Sequence, residues 1–182
     1  VAHMTVAAFE AVGFLAAGIH AFGVLRGRAV EFHRRALGVA LAVAVPAALI
    51  QPLVGHMSGE YVAHEQPVKL AAMEAHWHTE SAAPLQVGGI VDSEAETTKY
   101  ALKIPWGLSL LAGRDPNAVV MGLKDVPKED RPPVGITHWA FDIMVGIGSL
   151  LALVALWVGV TAVRTRAGPT SPRLLKTLVA CS

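Results

Sequence analysis

The chain has 182 residues, of which 53% are hydrophobic and only 16% are charged. Soluble domains carry roughly 25% charged residues, and here the apolar residues are bunched into long runs, so a single soluble core explains the sequence poorly. The net charge of +1 gives no indication of nucleic-acid binding, and the single cysteine, Cys181, excludes a disulfide framework or a cysteine metal site within the chain.

Three stretches are apolar over roughly the 20 residues that a helix needs to cross a bilayer. They run from about residue 4 to 25, from 36 to 54 and from 139 to 163. Glycines in the first and third suit close helix packing in lipid, and Pro46 and Pro52 would kink the second. The alternative is a set of buried helices in a soluble bundle.

Basic residues predict the orientation of these spans. The positive-inside rule puts the link between the first two spans, and the segment after the third, on the cytoplasmic side, so the long second link lies outside. The basic residues are Arg26, Arg28, Arg34, Arg35, Arg164, Arg166, Arg173 and Lys176.

We therefore predict an all-α membrane protein with three transmembrane helices and a long extracytoplasmic loop. The predicted segments are a helix over 1–25, a cytoplasmic loop over 26–35, a helix over 36–54, the outer loop over 55–137, a helix over 138–163, and a cytoplasmic segment over 164–182 that ends in the start of a further span.

A loop of this length is usually functional. Its first part, residues 65–78, reads as a helix with Pro67 near the first turn. Residues 85–91 and 99–104 are predicted to form two short strands around an acidic turn, and the proline-rich connector over 127–133 is expected to contain no helix.

Ionisable residues in or near a span are costly and are functional candidates by default. One histidine and one methionine on facing helices make a low-spin, six-coordinate haem site, and the thioether raises its reduction potential. His3 and Met144 satisfy this by type and by predicted depth. The alternative is that Met144 only packs, as methionines in membrane helices usually do.

Two interpretations are open for each of the other polar groups. Glu10, seven residues after His3, either serves a proton path or faces a polar groove between helices. The cluster Glu74, His76, His78 and Glu80 has ligand-like spacing for a metal, but on a helix the two histidines point about 200° apart. The alternative is that they are surface histidines.

Residues 66–80, with the pattern Lys-Leu-Ala-Ala-Met-Glu-Ala-His-Trp from Lys69 to Trp77, resemble the quinol-binding loop of subunit I of cytochrome bd oxidases. Further segments resemble the same family over essentially the whole chain. They are His3-Met-Thr-Val-Ala-Ala, Leu25-Arg-Gly-Arg28, Glu96-Thr-Thr-Lys-Tyr-Ala, Ile104-Pro-Trp and Phe141-Asp-Ile-Met-Val-Gly146.

The resemblance implies that His3 and Met144 are the axial ligands of a low-spin haem b, and that Lys69 and Glu74 bind and oxidise quinol, either ubiquinol or menaquinol. Glu74 would take a quinol proton, and Lys69 would hydrogen-bond a quinone oxygen. Many family members carry arginine two positions before the methionine. Here it is Asp142, which would hydrogen-bond either a protonated propionate or a loop residue.

The resemblance also implies a multi-pass protein of the bacterial inner membrane that pairs with oxidase subunit II. The chain looks like the central fragment of the short-loop type, because the spans that hold the high-spin haem b and haem d have no counterpart in it. Those two haems are expected only in the intact subunit, and this chain alone should not reduce oxygen. The alternative is a non-catalytic membrane fragment without cofactor, or a partner-binding remnant.

Overall fold

A computed structural model describes residues 1–165 and 171–182, so that Arg166, one of the residues used to predict orientation, lies outside the described residues. The elements in chain order are α1 (Ala2–Leu25), α2 (Val30–Glu65), α3 (Pro67–Met73), β1 (Glu80–Ser81), β2 (Leu85–Val87), β3 (Ile90–Asp92), β4 (Thr97–Lys99), β5 (Leu102–Ile104), α4 (Gly107–Gly113), β6 (Val119–Val120), α5 (Val134–Thr165) and α6 (Pro172–Ala180).

Three helical stretches, ending at Leu25, Glu65 and Thr165, are long and apolar enough to cross a membrane. They carry the three predicted spans, and the prediction of an all-α membrane protein is confirmed. The second helix extends beyond its predicted span at both ends, and it contains Pro46 and Pro52 without a break. Two compact units share the chain: the first comprises 1–55 and 147–182, and the second comprises 56–146.

The first unit is built from apolar helices whose small residues allow close approach. A Cβ atom added to Gly13 of α1 would lie 2.8 Å from the Cβ of Ala44 in α2, so only glycine permits this contact. The short helix α6, capped by the Ser171 hydroxyl, packs its leucines into the same core. Other core side chains are Phe14, Ala17, Ala21, Leu37, Leu41, Val154 and Val158.

The second unit contains the loop, and it is folded rather than extended. Strands β2 and β5 pair antiparallel with Leu85 opposite Ile104, and β3 pairs with β4 in the same hairpin around the turn over 93–96. The predicted pair of strands is therefore present, but it is divided at Gly88 and Gly89. A third ladder joins β1 to β6, which pairs the segment before the hairpin with the segment after α4.

Two predictions of local structure in the loop were wrong. The helix predicted over 65–78 ends at Met73, because Ala75 adopts a left-handed conformation with φ of 45°. The connector expected to be free of helix contains a 3₁₀ turn at Lys128–Asp130. A charged side chain fastens this connector, since Arg131 Nη1 donates to Glu96 at 2.7 Å and Nε donates to the Val126 carbonyl at 2.8 Å.

Candidate functional site

Glu74 is a buried carboxyl group at the end of α3, with only 1% of its surface exposed. The helix closes around it by two backbone bonds, from His76 N–H to the Ala71 carbonyl at 2.8 Å and from Ala75 N–H to the Ala72 carbonyl at 3.4 Å. This pairing is a Schellman motif, which normally places glycine at the left-handed position where this chain has Ala75. The turn therefore holds Glu74 in place at some cost in backbone strain.

Burial changes the chemistry of Glu74. Desolvation, and then the negative charge of Asp142, raise the pKa of the Glu74 carboxyl from 4.5 to about 8. Its Oε1 atom is buried and has no hydrogen-bond partner among residues 1–165 and 171–182. A carboxyl that is protonated near neutral pH and has an unused oxygen can accept a proton from a bound hydroxyl once it ionises.

The turn at the end of α3, called the Glu74 turn from here on, is hydrogen-bonded to the hairpin formed by β2 to β5. The Ala75 carbonyl accepts from Gln86 Nε2 and from Thr98 Oγ1, both at 3.2 Å. Trp77 is 5% exposed, and its indole N–H donates to Thr98 Oγ1 at 3.0 Å. Trp77 therefore packs the loop, and its remaining exposed edge lines a small open pocket together with Arg131 and Pro133.

His138 and Asp142, one turn apart on α5, contact the same turn. The ring of His138 lies 2.7 Å from the Met73 carbonyl through Nδ1, and 3.0 Å from the Gly88 carbonyl through Nε2. Asp142 accepts from the Gly88 N–H at 2.6 Å and lies 3.4 Å from His138 Nε2. Of the two partners expected for Asp142, the structure gives the loop residue.

Lys69, the other predicted quinol residue, differs from Glu74 because its side chain is exposed. Its ammonium forms no ion pair or hydrogen bond with any residue that the structure describes. The structure thus leaves Lys69 available to a ligand at the surface, while Glu74 is buried.

The two histidines that follow Glu74 differ in their exposure to solvent. His76 is 2% exposed, and burial lowers the pKa of its imidazole. His78 is exposed and lies 3.1 Å from Lys124 Nζ. The reading of both as surface histidines was therefore wrong for His76. No group of three or more histidine, cysteine, aspartate or glutamate side chains in the described part of the chain is arranged to hold a metal ion.

An open pocket of the second unit lies elsewhere in the loop region. It is lined by Met57, Glu60, Tyr61, His64 and Arg114 among others, and neither Lys69 nor Glu74 contributes to it. Glu60 and Arg114 form a two-bond ion pair in its wall, with 2.8 Å between Nη2 and Oε2. Because these two charges already pair with each other, the pocket offers a ligand fewer unpaired polar groups than the Glu74 turn does.

His3 has a partner that suits a metal ligand. The Gln51 amide nitrogen lies 3.1 Å from His3 Nδ1, whereas Gln51 Oε1 is buried and has no partner among the described residues. In this orientation the amide nitrogen also lies 3.5 Å from the His3 carbonyl oxygen. An amide rotated by 180° would give up that long contact and would place Oε1 to accept an Nδ1 proton, which would leave the lone pair of His3 Nε2 free. Iron-ligating histidines need that tautomer. With the amide in the rotated orientation, the donor chemistry at His3 fits haem.

Met144 is 48% exposed on α5, so its thioether is not committed to packing within the described structure. The polar residue of the first span, Glu10, is 4% exposed, and its Oε1 is buried without a partner among the described residues. Sequence reasoning missed Gln51 and Gln86. A glutamine inside an apolar run was the available signal for Gln51.

These elements define a helical membrane protein with a folded loop that buries a carboxyl group of raised pKa. A family model of cytochrome bd terminal oxidase subunit I matches residues 1–182. The chain therefore belongs to the cytochrome bd terminal oxidase subunit I family, and the resemblance seen in the sequence is confirmed.

Three curated relatives show the extent of the similarity. A putative cytochrome bd menaquinol oxidase subunit I of Bacillus subtilis (strain 168) is 40% identical over 158 residues, which cover 85% of this chain and 35% of the relative. A cytochrome bd ubiquinol oxidase subunit 1 of the same organism is 32% identical over 164 residues, with the same coverage. A cytochrome bd-II ubiquinol oxidase subunit 1 of Escherichia coli (strain K12) is 34% identical over 131 residues, covering 71% and 26%.

The fold is also similar to a solved structure, the bd oxidase from Geobacillus thermodenitrificans. The TM-score is 0.85 at 37% identity, and the match covers 98% of this chain and 41% of that one. The chain spans about a third of the length of the first two curated relatives.

Proposed function

We propose that this chain is the electron-entry part of a respiratory quinol oxidase in the bacterial inner membrane. Quinol, either ubiquinol or menaquinol, is oxidised at the outer loop, and its electrons pass to a low-spin haem b. The observation that carries the proposal is the buried carboxyl of Glu74, with a raised pKa and an unused oxygen, in the segment that resembles the family's quinol loop.

Glu74 is the proton acceptor in this proposal. Quinol loses two protons and two electrons on its way to quinone, and a general base works best when its pKa lies near the operating pH. A pKa of about 8 meets this condition, whereas an ordinary exposed glutamate with a pKa of 4.5 is too weak a base. Because Glu74 is only 1% exposed, a quinol hydroxyl reaches it only when the loop opens.

Lys69 binds the ring from the solvent side. Its exposed ammonium has three donors and no partner among the described residues, so it can donate to a quinone oxygen without breaking an existing ion pair. A positive charge there also stabilises the negative charge that develops as the hydroxyl proton leaves. Lys69 and Glu74 thus have separate tasks, with binding at the surface and proton transfer in the interior.

His3 and Met144 are the proposed axial ligands of haem b. When bound, the haem accepts the electrons, and its methionine ligand favours the ferrous state. With its amide rotated, Gln51 would hold His3 through Nδ1 and leave Nε2 available as an iron ligand. This pairing rests on the donor types and on the resemblance to the family.

Oxygen reduction belongs to other parts of the oxidase in this proposal. The high-spin haem b and haem d are expected in the intact subunit, which works with oxidase subunit II in the lipid bilayer. The role of this chain is therefore to deliver electrons to those haems and to release quinol protons on the outer side.

The experiment is a reduced-minus-oxidised spectrum of membranes that contain the oxidase with this chain. Met144→Ala should remove a sharp low-spin b-type band, whereas Met57→Ala, which changes an exposed methionine of α2, should leave it intact. A band that survives Met144→Ala contradicts the ligand assignment. A protein that contains no haem contradicts the proposal and favours the non-catalytic alternative.

Quinol oxidation is tested separately with a pair of glutamate variants. Glu74→Gln keeps the size of the side chain but cannot accept a proton, and we expect the rate to fall at least about a hundredfold. Glu80→Gln removes an exposed carboxylate from the same loop and should change little. Equal rates in the two variants would contradict the role of Glu74.

A further inference from the structure

His138 has an unusual hydrogen-bonding arrangement, because both ring nitrogens face backbone carbonyl groups. Nδ1 lies 2.7 Å from the Met73 carbonyl oxygen, and Nε2 lies 3.0 Å from that of Gly88. The side chain is fully buried, with 0% exposure. Water therefore cannot take the place of either partner.

The donors and acceptors around His138 determine how many protons it carries. A carbonyl oxygen can only accept a hydrogen bond, and a neutral imidazole has a single N–H. Both contacts are satisfied only if both nitrogens donate, which makes the ring a positively charged imidazolium. Asp142 Oδ2, at 3.4 Å from Nε2, supplies the opposite charge that a buried cation requires.

The two carbonyl groups belong to the two pieces of the loop that enclose Glu74. Met73 immediately precedes Glu74, and Gly88 lies where the hairpin divides. Gly88 has a φ of 67°, a left-handed conformation in which its N–H is bonded to Asp142 and its carbonyl to His138. Residues with a side chain rarely adopt that conformation, so glycine suits this position.

We propose that His138, carrying both ring protons, is a positioning residue that joins the Glu74 turn to the hairpin and so fixes where the Glu74 carboxyl meets quinol. This inference rests on the proposed function for its kinetic consequence. Its structural part, a doubly protonated clamp between Met73 and Gly88, does not depend on quinol.

Two substitutions of His138 each remove one of the two hydrogen bonds of the clamp. The amide nitrogen of His138→Asn lies near the position of Nδ1 and can keep the bond to Met73, whereas that of His138→Gln reaches toward Nε2 and can keep the bond to Gly88. Each variant loses one half and the positive charge. We expect kcat for quinol oxidation by the assembled oxidase to fall about ten- to a hundredfold in both, with little change in KM, because small displacements of a catalytic group have effects of this size.

A double-mutant cycle distinguishes positioning from general destabilisation. In a Glu74→Gln background, the His138 substitutions should have no further effect on kcat, since the group that they position is already gone. His78→Gln, a change of an exposed histidine in the same loop, is the matched control and should not alter kcat. An equal loss in both backgrounds, at unchanged haem content, would overturn the positioning role.

The clamp itself is tested in the unmodified oxidase. Nitrogen-15 spectra of its histidines, with the His138 signals assigned by their loss in His138→Gln, should show two protonated ring nitrogens at neutral pH. Amide exchange over residues 66–90 should also accelerate in both variants. If the oxidase fails to oxidise quinol, the proposed function fails while these measurements still decide the clamp. One protonated nitrogen with unchanged exchange overturns the clamp.

Discussion

Replacing Glu74 by glutamine should abolish a pH dependence of loop stability that the buried carboxyl creates. A group with a pKa of about 8 in the folded loop and 4.5 when exposed binds more protons in the folded state. Stability is therefore complete below about pH 4.5 and is lost as the pH rises through 8. At about 1.4 kcal/mol per pH unit, the whole effect is on the order of 5 kcal/mol.

The most informative pH range for measuring loop opening lies between about 7 and 8. His76, whose pKa burial lowers from 6.5, is neutral there in both states, and the pKa values of Asp92 and Glu96 lie below their ordinary acidic range. Glu74, facing the charge of Asp142, then binds an extra proton in the closed loop, and so does the imidazolium proposed for His138. The Glu74 carboxyl alone should raise the equilibrium constant for loop opening by about fivefold over this single unit, because the unit ends at the pKa of the closed loop.

Amide exchange around Glu74, corrected for the intrinsic effect of pH, measures that equilibrium constant. Glu74→Gln should show a shallower profile because only His138 remains to bind an extra proton in the closed loop, and Glu80→Gln should keep the full slope because its carboxylate is exposed. The infrared band of the protonated carboxyl should disappear with a midpoint near 8 in the unmodified protein. A midpoint near 4.5, or the same slope in Glu74→Gln, would refute the reasoning.

Three further predictions concern single side chains. Lys69→Met should raise KM for quinol about tenfold and Lys69→Arg should restore much of the loss, as expected for one charge-assisted hydrogen bond; an unchanged KM for Lys69→Met would remove Lys69 from the site. Trp77→Phe loses only the bond to Thr98 and should cost about 1 kcal/mol in thermal or exchange measurements, whereas Trp77→Ala should cost about 3–5 kcal/mol; similar costs would contradict a packing role. Gln51→Leu should weaken haem b retention in purified protein more than Gln51→Glu, which keeps an acceptor for His3; equal retention would separate Gln51 from the haem ligand.

The spans could be predicted from the sequence because lipid imposes a length and a composition on any helix that crosses it. The loop was harder, because its helix ends where Ala75 turns left-handed, and alanine gives no sequence signal for that conformation. Only tertiary contacts, such as the bonds to the Ala75 carbonyl from Gln86 and Thr98, account for it.

The candidate site was predictable in residue type but not in arrangement. The resemblance pointed to Lys69 and Glu74 alike, yet one is exposed and the other is 1% exposed. His138 lies at the edge of the third predicted span, where an ionisable residue is costly, but the sequence gives no sign of what it contacts. Its two carbonyl partners, Met73 and Gly88, are 65 and 50 positions away in the chain, so no local pattern could have indicated them.

The left-handed turn at Ala75 limits which amino acids this position can accept during evolution or in a mutational scan. The methyl group is completely buried, so there is no room for a larger side chain, while the backbone angle disfavours branching at Cβ. Glycine would relax the backbone but leave the space of a methyl group unfilled. Position 75 should therefore accept little besides alanine and glycine, whereas exposed positions of the loop should accept many more amino acids.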